Sequence, residues 1–135
     1  MAVSIQWDPD AGIVRLRARG EVSGHDVVDA MRAFAGACPF GFGRARAWLN
    51  DYREARLDGM TDEVARQIEE ISVGLSKVNP TLVVAHIVPE RADGEVSWEA
   101  HIGESGWLMR TFRSEEHAQA WVSMMAPEAT KEELH

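Results

Sequence analysis

His86 and Asp51 are the two side chains best suited to proton chemistry. His86 falls late in the apolar run TLVVAHIVP, and Asp51 near the end of RARAWLNDY. Both runs read as strands. If the strands are neighbours, the two groups meet in a His–carboxylate hydrogen bond, an arrangement that tunes a general base. Neither a nucleophile nor an oxyanion donor accompanies them. An enzyme using His86 and Asp51 is therefore one alternative, and a non-catalytic protein is the main expectation.

Other chemistry has less support. Glu99 and His101 with His86 offer a conceivable metal set, but no HExxH or Cys/His spacing joins them. No metal and no cofactor is expected. Cys38 is the single cysteine. It lies beside Pro39 with no basic neighbour, so it reads as a small apolar residue rather than a nucleophile. One cysteine excludes an internal disulfide and suits a reducing, cytoplasmic setting.

Composition narrows the partners. The 135 residues carry a formal charge of −8. Nucleic acid would require a basic face to neutralise phosphates, so none is expected as a partner. Arg15, Arg17 and Arg19 line one strand face and read as solvated or paired with carboxylates. No apolar run nears the roughly 20 residues that span a bilayer, and MAVSIQWDPD has no signal-peptide character.

These residues must be placed by an ordered set of elements. Ser4–Asp8, the turn Asp8–Gly12 and the alternation of Val14, Leu16 and Ala18 predict a hairpin. Ser23 with Asp26 caps a helix in which Val27, Met31 and Phe34 face inward, ending by Gly36. Arg44–Tyr52 is the next strand, with a polar loop after it. Thr61 caps a second helix. Its stripe, Val64, Ile68, Ile71, Leu75 and Val78, steps by four, three, four and three residues. Asn79-Pro80 ends it. TLVVAHIVP is branched and apolar throughout, so it predicts a strand covered on both faces.

The order continues with a turn over 90–95 and a short helix within VSWEAHIGES. A strand at GWLMRTF follows, then a helix capped by Ser114 with Ala118, Trp121, Val122 and Met125 inward. A hairpin followed by alternating units predicts one α/β domain over residues 1–126. Its sheet is mixed, mostly parallel and of about five strands, with helices packed on it. Residues 127–135 read as a solvated tail.

Three segments of this order resemble the SpoIIAA-like branch of the STAS fold, which includes bacterial anti-sigma factor antagonists and the cytoplasmic tails of sulfate transporters. They are IVRLRARGEVSGHDVVDAM, RAWLNDYREARLDGM and MRTFRSEEHAQAWV, within a match from Val3 to Met125. The resemblance implies a regulatory module rather than an enzyme. Phosphorylatable members of the family carry a serine in a pattern like Asp-Ser-Ser-Gly at the start of the helix after the third strand. Here Asp58 matches the acidic position and Gly59 takes the place of the phosphoacceptor. The usual switch is therefore expected to be absent. Thr61 is the nearest hydroxyl, but it reads as a cap, and Asp62 and Glu63 oppose added negative charge.

Two binding surfaces follow as expectations. The first is a site for an unidentified protein partner at the third-strand loop and the start of the second helix. It comprises Asp51, Tyr52, Arg53, Asp58, Gly59, Met60 and Thr61; a homodimer is a separate expectation, tied to no particular surface. The second is an alternative: a carrier of a small apolar or lipid-like molecule, with His86, Trp98, Ile102 and Trp107 around a pocket under the 97–106 segment. Five tryptophans is a high count for this length, and such rings serve cores and interfaces alike.

Overall fold

A computed structural model describes residues 2–89 and 98–126. The expected turn over 90–95 and the tail 127–135 lie outside the described residues. Strands β1 (Val3–Asp8) and β2 (Ile13–Ser23) form the antiparallel hairpin. Helix α1 (Gly24–Ala37) follows, then strand β3 (Ala47–Asp58), helix α2 (Asp62–Ser76) and strand β4 (Val83–Ile87). Strands β5 (His101–Ile102) and β6 (Leu108–Phe112) and helix α3 (Glu115–Met125) complete the order. The sheet has six strands in the order β1-β2-β3-β4-β6-β5, and the three pairings from β2 to β6 are parallel. The sixth strand is β5, which pairs antiparallel with β6. It occupies part of the segment expected to be a short helix, and none of residues 98–106 is helical.

Local signals set the helix boundaries. Ser23 Oγ accepts from Asp26 N, while the Asp26 carboxylate accepts from Ser23 N, so two orphan donors of α1 are satisfied. Thr61 Oγ1 accepts from Val64 N at the start of α2. Beyond α2, Asn79 is 1% exposed, and its Nδ2 donates to Phe42 O at 2.9 Å and Ala45 O at 2.7 Å. Its own carbonyl accepts from the Trp107 indole at 2.7 Å. The Asn79-Pro80 stop is thus also a polar staple inside the fold.

Helix α3 covers one sheet face, packing Trp121 and Val122 on Ala47, Leu49, Ala85 and Ile87. Helices α1 and α2 cover the other, over Trp48, Val84, Leu16 and Ala18. They meet closely at one corner. A Cβ on Gly24 would lie 2.6 Å from Gly59 O and 2.8 Å from Val64 Cγ1, so only glycine allows this approach.

Strand β3 runs six residues past the expected end at Tyr52. The pairing with β2 shifts between Arg17 and Arg19, which face Asp51 and Glu54 respectively. One extra residue on β3 is accommodated there, a β-bulge, and a bulge inverts the alternation of side chains. Trp48 and Tyr52 face α1 and α2 before it, and Ala55 does so after it. Arg53 and Glu54, expected in the loop after the strand, therefore lie within it.

Candidate functional site

The register of β3 and β4 decides which groups meet. Asn50 pairs with His86, and Asp51 pairs with Ile87. Successive strand residues point to opposite faces, so Asp51 and His86 lie on opposite sides of the sheet. The expected His86–Asp51 pair is not formed, although the strands are neighbours.

His86 is instead part of a chain that starts at Trp48. The Trp48 indole N–H donates to Asn50 Oδ1 at 2.8 Å. The Asn50 amide is thereby oriented, and its Nδ2 lies 3.2 Å from His86 Nδ1. An indole nitrogen only donates, so Asn50 must donate to His86 Nδ1, and the imidazole proton sits on Nε2. Burial, reinforced by the charge of His101, lowers the His86 pKa to about 4. The ring is therefore neutral near pH 7 and presents an N–H donor.

That donor belongs to a cavity of about 270 Å³ between α1, α2 and the sheet. Val27 and Met31 of α1, Ile68 of α2, Val84, Trp107 and Met109 supply apolar walls. Asn50, Tyr52, Glu69, Ser72 and His86 are its polar members. Burial raises the Tyr52 pKa to about 12, so the phenol stays protonated. Glu69 Oε2 is the one buried side-chain oxygen or nitrogen without a hydrogen-bond partner among the described residues. Burial also raises the Glu69 pKa and the Glu104 charge adds to this, outweighing the Glu104 backbone hydrogen bond and the His101 charge, which lower it. Leu57 and Met60, 39% and 44% exposed, stand at the outer end of the cavity.

The opposite face carries a closed set of charges. Asp51 accepts from Arg53 Nε at 3.0 Å, from Arg53 NH2 at 2.8 Å and from the Arg53 backbone at 3.1 Å. Glu115 of α3 pairs with both Arg15 and Arg53. These bonds from Arg53 hold the Asp51 pKa below its ordinary value against the opposing effect of burial.

The structure thus redistributes the expected residues. His86 and Trp107 line the cavity, and Tyr52 and Met60 join them from the proposed partner surface. Asp51 and Arg53 lie on the far face. Asp58 accepts from Gly59 N at 2.9 Å, and Thr61 serves as the helix cap beside the cavity mouth. Ile102 is 63% exposed on β5. Trp98 lies under the Arg113 guanidinium, 4.7 Å from the ring centroid, and its carbonyl accepts from Arg110 Nε. Neither lines the cavity, whose wall includes Ile68, Glu69 and Ser72 of α2. Asn50 and Glu69 were missed by sequence reasoning. An asparagine two residues from a tryptophan in an apolar strand was the available signal for the first. Among the described residues, no three His, Cys, Asp or Glu side chains converge as a metal set.

No protein-family profile matches the sequence, and no curated protein matches it. Among solved structures, the chain is similar to an uncharacterised protein of the DUF3478 family from Shewanella loihica PV-4, described as having a SpoIIAA-like fold. The two share 18% identity, with 90% of this chain and 92% of that one covered, at a TM-score of 0.51. Among the described residues, no helix is long and apolar enough to cross a membrane. The comparison agrees with the six-stranded mixed sheet and its three helices: the chain has a SpoIIAA-like fold.

Proposed function

We propose that this chain is a non-catalytic binding module that holds a small, largely apolar ligand in the cavity between α1, α2 and the sheet. The observation that carries the reading is the cavity itself: apolar walls converge on a few polar groups, at a volume just below the roughly 300–1,000 Å³ common for ligand clefts. Among the described residues the side-chain partner of His86 is the Asn50 amide rather than a hydroxyl or thiol, which favours binding over turnover. Native mass spectrometry of the purified chain tests it. The expected result is a stoichiometric apolar adduct, lost in Ser72→Phe, which fills the cavity from α2. A chain that carries no adduct and takes up no apolar dye sinks the reading.

A second reading keeps a protein partner at the start of α2. It is favoured by the exposure of Leu57 and Met60 beside the acidic Asp58, Asp62 and Glu63. Under this reading Asp58→Lys and Met60→Arg reduce recovery of the partner in a pull-down. Undiminished recovery by both variants argues against the surface.

A further inference from the structure

The cavity's polar groups differ in what they offer a ligand, and this bears on its head group. The Trp48–Asn50–His86 chain fixes the imidazole proton on Nε2. His86 lines the cavity, and with Nδ1 engaged by Asn50 its Nε2–H is the donor the ring has left to offer. On the facing helix, Glu69 Oε2 is buried and unpartnered. One side therefore presents a donor and the other an acceptor. No lysine or arginine is among the described residues that line the cavity, and Glu69 is the one acidic side chain there.

From this geometry we infer that the cavity selects an uncharged amphiphile whose head both donates and accepts, a hydroxyl or a primary amide, and that it rejects carboxylates of the same chain length. The inference rests on the ligand-binding reading above and deepens it. A hydroxyl or amide accepts from His86 Nε2–H and donates to Glu69 Oε2, so the ring donor and the unpartnered Glu69 oxygen are both matched. A carboxylate satisfies His86 but sets a second negative charge beside Glu69, with no lysine or arginine among the described lining residues to offset the pair, and desolvated like charges are costly. An ammonium group satisfies Glu69 and leaves the His86 donor without an acceptor. The aliphatic body of any of them is served by Val27, Met31, Ile68 and Met109.

The test is titration of the full chain with octanol, octanamide, octanoate and octylamine at neutral pH. Trp48 and Trp107 in the cavity wall provide the fluorescence signal, and calorimetry provides an independent one. Octanol and octanamide are expected to bind at least about tenfold more tightly than octanoate, since a site built around hydrogen-bonding groups discriminates strongly against a head that leaves them unmatched. Glu69→Gln, which keeps the side-chain shape and removes the charge, is expected to narrow the ratio to within about threefold, mainly by strengthening octanoate. Octanoate binding as tightly as octanol to the unaltered chain overturns the inference, without recourse to any variant. So does an unchanged ratio in a folded Glu69→Gln, or octylamine binding more tightly than octanol. If no octyl compound binds, the cavity reading fails and this inference falls with it. That result is distinct from binding without head-group preference, which removes the inference alone.

Discussion

The two faces of the sheet at the end of β3 use similar residues to opposite ends. Asp51 and Arg53 point toward α3, where Arg53, Arg15 and Glu115 close their charges into one network. Asn50 and Tyr52, their immediate neighbours in the chain, point toward α1 and α2 with His86 and Glu69, and there hydrogen-bonding capacity is left over. A buried polar group without a partner costs free energy. Groups that serve the fold alone are expected to be satisfied, as on the α3 face. Open capacity gathered around an apolar cavity is what the ligand-binding reading proposed above requires.

The largest way to break this contrast is at the corner that shapes the cavity mouth. Gly24→Ala places a methyl against Gly59 O and Val64, so the start of α2 must move away from α1. Overpacking of this kind costs about 2–3 kcal/mol, measured by urea unfolding, and octanol binding is expected to fall with it. Gly36→Ala, in the same helix with nothing within 4 Å of its added Cβ, is the control. It is expected to stabilise by about 0.5–1 kcal/mol through helix propensity. Equal effects of the two substitutions would remove the claim of a close approach.

The second prediction separates the faces by pH. The folded His86 pKa of about 4 lies below its ordinary 6.5, so the unfolded chain binds the extra proton between those values. The contribution of neutral His86 is therefore fully present above about pH 6.5 and is lost as pH falls toward 4. The loss is about 2 kcal/mol, allowing for water at the cavity mouth. His86→Gln is expected to flatten this part of the stability–pH curve. Asp51 behaves differently. Its folded pKa is depressed below 3.8, so its contribution persists through that window and fades only at lower pH. Asp51→Ala is expected to cost about 1 kcal/mol near neutrality, since Arg53 is partly in water, and to leave octanol affinity unchanged. A loss of ligand binding in Asp51→Ala equal to that in His86→Gln would merge the two faces into one site.

The architecture was readable where local rules and packing agree. The Ser23–Asp26 capping box, the Thr61 cap and the apolar β4 each state their element directly, and the resemblance to SpoIIAA-like proteins supplied their arrangement. The extension of β3 was not readable, because its bulge breaks the two-residue alternation just where Arg53, Glu54 and Arg56 make the chain look like a polar loop. Its support is β2, whose matching extension passes through Gly20 and Glu21, residues with little strand character of their own. The site was half legible for a related reason. His86 and Trp107 stood out by type, but whether His86 meets residue 50 or 51 depends on strand register, a non-local property set by packing. Trp98 and Ile102 were grouped with them through proximity in sequence to Trp107. The β5–β6 turn carries them away from the cavity instead, toward Arg113 and solvent.

The smallest effect bears on the two functional readings. Leu57 and Met60 sit where the cavity meets solvent, so Met60→Ser is expected to change stability by no more than about 0.5 kcal/mol. It shortens the apolar wall available to a ligand, and the loss of a few tens of Å² of contact corresponds to a roughly threefold weaker octanol affinity. Asp58→Lys alters charge at the same rim without touching the cavity wall, so octanol binding should not change. If the rim serves only as the entrance, the two variants separate in this way and partner recovery is indifferent to both. If the rim is itself a docking surface, Asp58→Lys reduces partner recovery while leaving octanol affinity intact. The same pair of substitutions therefore tells a mouth from an interface, because one changes apolar area and the other changes only charge.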